Sequence, residues 1–385
     1  MSTENRAASR IIRTTFDEDS LRAAVEACRE EIGDRPSIVY AFVSADWREH
    51  INDFIEIVQV YGHAAEIIGC SADGFIGTGE EDENVSGCSL LFLKLPDTDL
   101  NILEIEPHEM DSFKPPPSSV EGASWISLCN PFLAHAENWM TRWNTVFNHS
   151  PTFGGLASGG SDPSDVFLFH NRKTENLSCV AVQFNGGIKI GGVVSQGCRP
   201  IGDPYTITEV DENVVVSIAS RKAFEVLEEA FESLATEEKK TAQGNIFAGL
   251  AVSEYVDDFK RGDFLVRNIL GGDPNAGVLA LGAFPRPGQT VQFQIRDKDA
   301  ADEDLRELCR EAQAENGTPF AGLLFSCTGR GSRMFGVPNH DAGVVEDTFG
   351  KVPLNGFFCN GEIGPIGGNN FLHGYTASTA FFYHA

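Results

Sequence analysis

The chain has 385 residues, 42% of them hydrophobic, and 29 basic against 56 acidic side chains give it a net charge of −27. That acidity, with no compact Lys/Arg stripe to offset it, argues against a nucleic-acid partner, and no apolar run reaches the ~18 residues a membrane-spanning helix needs. The length exceeds what one hydrophobic core usually supports, so two domains are expected.

The polar stretch 1–14 reads as a loose tail, and Met1 to Thr15 lacks the apolar segment of a secretory signal. A helix is predicted from Asp19 or Ser20, with Leu21, Val25, Cys28 and Ile32 on one face and Gly33 as its stop. A strand over Ser37–Val43 follows, then a helix turning Trp47, Ile51, Phe54, Ile55 and Val58 inward and ending at Gly62. Strands are predicted over Ala65–Cys70, Gly87–Leu93 and Leu100–Ile105, before the stiff connector Pro115-Pro116-Pro117.

The pattern then recurs, with a strand over Trp125–Cys129, a helix from Phe132 to Phe147, and strands over Val166–Phe169, Cys179–Phe184 and Ile188–Val194. Ile68 to Gly74 and Phe153 to Gly160 are both apolar residues running into a Gly/Ser turn, so the region reads as a weak internal duplication. A boundary falls at Arg199-Pro200-Ile201-Gly202-Asp203-Pro204.

Beyond that boundary come a strand over Tyr205–Val210 and a long helix over 212–235 with Ala219, Ala223, Val226, Leu227, Ala230 and Leu234 on one stripe. Strands over Ile246–Val252, Phe264–Leu270, Val278–Phe284 and Val291–Arg296 precede a helix over 301–315. Helices and β-meanders alternate without regular βαβ spacing. The fold class expected is therefore α+β: two sheet-and-helix domains with mostly antiparallel sheets.

Two short apolar runs near the end, Ala321–Phe325 and Leu354–Phe358, have the length of buried strands, and each leads into a turn bearing a cysteine. The turns are Ser326-Cys327-Thr328-Gly329-Arg330-Gly331 and Cys359-Asn360-Gly361-Glu362-Ile363-Gly364-Pro365. Such strand ends gather backbone N–H groups and polar side chains, a common way to build a small-molecule pocket.

These two turns, with Gly69-Cys70-Ser71, the Phe153–Gly160 turn, Ser195 to Gly202 and Asp263 to Asn268, carry a resemblance to the FIST proteins. It runs from about residue 15 to the end, giving a FIST N-terminal-like domain over 15–202 and a C-terminal-like domain over 203–385. The resemblance implies a cytoplasmic sensory protein of signal transduction that binds a small ligand such as an amino acid. FIST domains are often fused to output domains, and no residues beyond the two halves are left for one here. A separate signalling protein is then the partner expected to carry any signal.

The ligand-binding residues expected are Cys327, Arg330, Arg333, Cys359, Asn360, Glu362 and His373. Arg330 or Arg333 suits a carboxylate, because guanidinium binds carboxylates bidentately; the competing role is a structural bridge to Asp341 or Glu362. Glu362 would accept the ligand's ammonium, and Arg330→Ala is expected to abolish binding while leaving the fold intact. Asn360-Gly361 reads as a tight turn.

An alternative is a thiol-dependent or acid–base enzyme using Cys327 or Cys359 as nucleophile, with His373 or His340 as base and Glu362 or Asp341 orienting it. A second is an acidic scaffold that binds proteins. No metal is expected, because His340, Asp341, His373 and His384 match no ligand spacing. No cofactor is expected either, since Gly272 to Gly277 lacks the Lys-Ser/Thr of a phosphate loop. The nine cysteines are scattered without a C-x-x-C pair, as in a reduced chain.

Overall fold

A computed structural model describes residues 4–134, 136–160, 162–174, 176–255, 259 and 262–385. It divides into two compact units that are discontinuous in sequence. The first comprises Met1–Val194, Leu305–Leu372 and Thr376–Ala385, and the second Ser195–Asp304 with His373–Tyr375. The sequence halves 15–202 and 203–385 are a division by motif, whereas the units are a division by contact, and the chain's last segment returns to the first unit.

The first unit holds three six-stranded sheets. One runs Arg6–Ile12, Cys88–Lys94, Ile38–Val43, Ile67–Ser71 and then the short pair Leu168–His170 and Lys173–Thr174. The second, read the same way, runs Asp99–Ile105, Cys179–Asn185, Trp125–Cys129, Thr152–Leu156, Glu362–Ile366 and Asn369–His373. The third runs Ile188–Gln196, Thr376–His384, Ala321–Cys327, Leu354–Cys359, Gly74–Gly77 and Glu80–Glu83.

The order is the same three times. A leading strand, a closing strand and a parallel pair are completed by a hairpin borrowed from the next copy around. The expected duplication is thus a threefold repeat, whose third copy is split by the second unit.

Each parallel pair is joined by a helical crossover: Ile51–Gly62, Ala136–Val146 and His340–Phe349. Their strands are buried on both faces, which explains the unbroken apolar runs in the sequence. Tyr40 and Phe42, Ile126 and Leu128, and Leu323 and Phe325 meet in one shared core. Alternate residues face outward to separate helix-covered cores, as Val39 and Ala41 do against Leu21, Val25, Trp47 and Phe54.

The repeats share one close approach. Gly69, Gly154 and Gly356 lie in register with Ala41, Ser127 and Leu324 of the neighbouring parallel strand. A Cβ at any of the three would fall 1.8–1.9 Å from that partner's carbonyl oxygen. Only glycine fits.

The second unit is an antiparallel barrel. Thr290–Arg296, Tyr205–Asp211, Val214–Ile218, Val278–Leu281, Phe264–Asp273 and Ile246–Ala251 pair in sequence, and the last pairs back to the first. Closure removes the exposed edges an open sheet would leave. Ala223–Glu232 packs Ala223, Val226 and Ala230 into the barrel's apolar cluster.

The architecture is α+β with mostly antiparallel strands, as expected. Elements that differ have identifiable causes. Arg6–Ile12, expected in the loose tail, is a strand paired with Cys88–Lys94 over its full length, burying Ala8 and Ile12; residues 1–3 of that tail lie outside the described ones.

The long helix predicted over 212–235 is instead strand Val214–Ile218, a turn with positive φ at Ala219 and Ser220, and the shorter helix Ala223–Glu232. Three successive β-branched valines favour the strand, and Val214 and Val215 pair with Ala280 and Leu279. The helix predicted from Phe132 spans Ala136–Val146, residue 135 lying outside the described ones. Helix Glu18–Ile32 forms as predicted, with Asp17 Oδ1 accepting the Ser20 N–H at 2.8 Å and left-handed Gly33 closing it.

Gly356→Ala is expected to lower unfolding free energy by at least about 1–3 kcal/mol through overpacking. Gly343→Ala, in helix His340–Phe349 with nothing within 4 Å of the added carbon, should instead stabilise by about 0.5–1 kcal/mol. Urea denaturation of both variants checks the pair.

Candidate functional site

The site grows from the third parallel pair. Ala321–Cys327 and Leu354–Cys359 run in register from Gly322↔Leu354 to Cys327↔Cys359, one residue past the corresponding ends of the other two pairs. The two cysteines therefore project from adjacent strands on one side. Cys359 is buried and Cys327 half-buried, and neither is in a disulfide. The Cys359 Sγ lies 3.3 Å from Glu362 Oε1 and also 3.3 Å from the Ser326 carbonyl oxygen.

Glu362 is held by the next turn. The Leu156 N–H donates to the Gly361 carbonyl at 2.8 Å, and the Asn360 N–H to the Leu156 carbonyl at 3.0 Å, stitching the turn to the strand Thr152–Leu156. Glu362 then sits opposite Gly155, whose missing side chain leaves room for Cys359: an added Cβ would lie 3.1 Å from its sulfur.

The Glu362 carboxyl is fully buried and accepts the Thr376 N–H at 3.1 Å, the Cys359 thiol and the Cys327 thiol. Burial is the dominant influence and pushes this carboxyl up to about 8, above the lowering effects of its hydrogen bonds and of Arg330.

Arg330 follows Cys327 by three residues and is fully buried. Its Nε and Nη2 donate to Asp341 Oδ2 and Oδ1 at 2.7 and 2.8 Å, a bidentate ion pair. Asp341 also accepts from Ser326 Oγ at 2.8 Å and lies 2.8 Å from His340 Nδ1. Burial would push the Asp341 carboxyl up, but the Arg330 charge, its hydrogen bonds and His340 together hold it well below the ordinary carboxylate range.

The guanidinium faces the ring of Phe335 at 5.2 Å. Its remaining nitrogen, Nη1, is buried without a hydrogen-bond partner among the described residues.

The fold brings together here four of the seven ligand residues expected from the sequence: Cys327, Arg330, Cys359 and Glu362. The bidentate ligand clamp at Arg330 is corrected, because Asp341 occupies the fork and leaves Nη1 alone. The expectation that Arg330→Ala leaves the fold intact fails with it, since the loss would strand a buried carboxylate. Asn360 is exposed, with Nδ2 donating to the Ala157 carbonyl at 3.3 Å, and acts in the turn. Arg333 is exposed on the short helix Gly331–Phe335. His373 belongs to the second unit, and His340 serves Asp341.

The acidic hairpin at Glu80–Glu83 gave no functional signal in the sequence. Its Glu81 Oε1 accepts the Ala342 N–H at 2.8 Å and its Glu83 Oε1 the Ser332 N–H at 2.7 Å, so both carboxylates cap helix starts beside the ion pair. Burial, then the charge of Asp341, pushes Glu81 up to about 8. Among the described residues no group of His, Cys, Asp or Glu forms a metal site, and no helix is long and apolar enough to cross a membrane.

The FIST N domain pattern matches residues 37–221 and the FIST C domain pattern residues 223–365. An uncharacterized protein of Mycobacterium tuberculosis is 36% identical over 385 residues, covering 94% of this chain and 97% of its own length. One from Mycobacterium bovis is 32% identical over 378 residues, covering 94% and 96%. An F-box/LRR-repeat protein of Arabidopsis thaliana is 29% identical over 105 residues, 26% of this chain and 20% of its own.

Two outcomes follow from the buried charges. Arg330→Met should cost about 3–5 kcal/mol by stranding Asp341, and adding Asp341→Asn should recover part of that loss in urea melts. Glu81 and Glu362 bind protons more tightly folded than at their ordinary value of 4.5. Their contribution is complete below that value and declines as pH rises to about 8, by at most about 1.4 kcal/mol per pH unit for each. Glu362→Gln should remove its share of the slope.

Proposed function

The chain belongs to the FIST family, and on that premise we propose that it senses a small, amino-acid-like ligand at the cluster of Cys327, Arg330, Cys359 and Glu362. FIST domains are associated with sensory signal transduction. The observation that carries the ligand reading is a pair of incompletely compensated buried groups: Arg330 Nη1, a donor without an acceptor among the described residues, and Glu362, a carboxyl whose burial the Arg330 charge offsets only in part. An α-amino acid carries the complement of both, a carboxylate oxygen for Nη1 and an ammonium for Glu362. Binding would satisfy a donor whose isolation is costly and favour the charged form of Glu362.

Cys327 is the half-buried member of the cluster, so a ligand would reach the buried groups past its side. A signal would then pass to a separate protein as binding shifts the chain toward its liganded state. The nucleophile of a hydrolytic thiol enzyme needs an accessible thiolate. Burial, and secondarily the charge of Glu362, pushes the Cys359 thiol well above its ordinary range, which disfavours it in that role.

A thermal-shift screen over amino acids and organic acids tests the reading. At a ligand concentration of 100 times Kd, native-state binding adds about 2.7 kcal/mol, so a cognate amino acid should raise Tm clearly. Glu362→Gln, which mimics the protonated carboxyl, should keep the unliganded fold and reduce that rise. Arg330→Lys, which keeps a charge for Asp341 but lacks Nη1, should reduce it too. No rise with any amino acid, or an undiminished rise in Glu362→Gln, would reject the site.

A further inference from the structure

We propose that Cys327 and Cys359 are a reversible dithiol–disulfide pair that reduces hydroperoxides, a covalent modification site that does not depend on ligand binding. The geometry is that of a pair. The two residues are register partners on adjacent parallel strands. Neighbouring strands lie about 4.8 Å apart, inside the window of about 4.4–6.8 Å between Cα atoms that a disulfide spans. Both thiols hydrogen-bond one carboxyl, Glu362, which brings the sulfurs to a common point.

The surroundings divide the labour. Cys327 is the half-buried thiol, its sulfur accepts the Gly329 N–H at 3.5 Å, and the Arg330 charge acts on it. A backbone donor and a cation favour negative charge on sulfur, which makes Cys327 the peroxide-reacting thiol. Cys359 is buried and remains a protonated donor to Glu362 and the Ser326 carbonyl until it resolves the intermediate. Glu362, with a carboxyl pushed up to about 8, takes and returns protons near neutral pH.

The threefold repeat supplies an independent argument. Counting three residues past Gly69, Gly154 and Gly356 gives Ala72, Ala157 and Cys359, all three buried in the shared core. Counting three past their register partners Ala41, Ser127 and Leu324 gives Ser44, Asn130 and Cys327. Two copies of the same backbone corner fold with Ser–Ala and Asn–Ala. The fold therefore makes no demand for cysteine at either position, and the pair in the third copy is extra to it.

The chemistry balances with a hydroperoxide as oxidant. The Cys327 thiolate, its proton held by Glu362, attacks the terminal peroxide oxygen; the O–O bond breaks, an S–O bond forms, and the departing alkoxide takes the proton as an alcohol. Cys359 gives its proton to Glu362 and attacks the Cys327 sulfenic acid. The S–S bond forms and hydroxide leaves as water with that proton. Two thiols and one hydroperoxide become one disulfide, one alcohol and one water.

The test uses the full chain, reduced, with hydrogen peroxide near pH 7 and no amino acid present, so that failure of the ligand reading leaves it untouched. Alkylation and peptide mass spectrometry should find Cys327 cross-linked to Cys359, one peroxide consumed per disulfide, and reversal by dithiothreitol. Cys359→Ser should stop at a dimedone-reactive Cys327, and Cys327→Ser should give neither product. Glu362→Gln should slow oxidation about tenfold or more.

Cys129 and Cys179 are the internal control, register partners that are both buried against Ser127. A cross-link confined to them would overturn the proposal. So would thiols that survive peroxide in the folded chain while those of the urea-unfolded chain are oxidised.

Discussion

The in-register pairing of Ala321–Cys327 with Leu354–Cys359 is the constraint on which the site depends. Parallel strands must be joined by a crossover, and here the crossover carries Arg330, His340 and Asp341 away from the first strand's end and back over it. Register then fixes everything else. Cys327 faces Cys359, the next turn starts at Asn360, and Glu362 arrives opposite Gly155. A slip of one residue would move each of these side chains to the other face.

The close approach at Gly356 enforces that register, because no other position on its strand could tolerate a carbonyl oxygen where its Cβ would be. The same glycine in the other two copies shows the constraint to be structural. It belongs to the repeat rather than to the ligand or the thiols.

Within this frame two carboxyls of the third copy, both fully buried, are driven in opposite directions. Asp341 has a guanidinium on both oxygens and a hydroxyl besides, so its charge is compensated where it stands. Glu362 has one backbone donor and two thiols, which are weak donors, and burial prevails. Environments that separate two carboxyls in this way leave one as a fixed charge and the other as a proton carrier. The ion pair is thus the anchor of the corner, and Glu362 is the carboxyl whose burial its surroundings offset only in part.

Much of this was legible in the sequence, and the failures share one cause. Buried strands such as Ile38–Val43 and Ala321–Cys327 announce themselves as short apolar runs, and helix Glu18–Ile32 carries both its cap and its stop. The turn at Cys359 to Glu362 could be read from Asn-Gly. The third copy of the repeat could not, because an inserted barrel separates its leading strand from the rest and its glycine stands among phenylalanines.

Arg6–Ile12 looks like a tail because an edge strand needs few apolar residues, and only its partner Cys88–Lys94 makes it a strand. The long helix over 212–235 was lost to pairing with a strand some 65 residues later, a contact with no local trace. Arg330 could be marked as important from its turn, but its partner lies across a crossover, and sequence spacing alone leaves Asp341 and Glu362 equally eligible.

The repeat also separates what the fold requires from what it permits. Residues that recur at one position in all three copies, as the approach glycines do, are explained by packing. Residues confined to one copy have no such explanation, because the other copies show the backbone forming without them. By that criterion the hairpin stitching at Asn360, the burial of the strand ends and the helical crossover are architecture. The Cys327–Cys359 pair falls on the other side of the line, and so does Glu362, whose burial the Arg330 charge offsets only in part. A corner that forms with serine and alanine in one copy, and with asparagine and alanine in another, has no structural reason to place two thiols around a buried acid in the third.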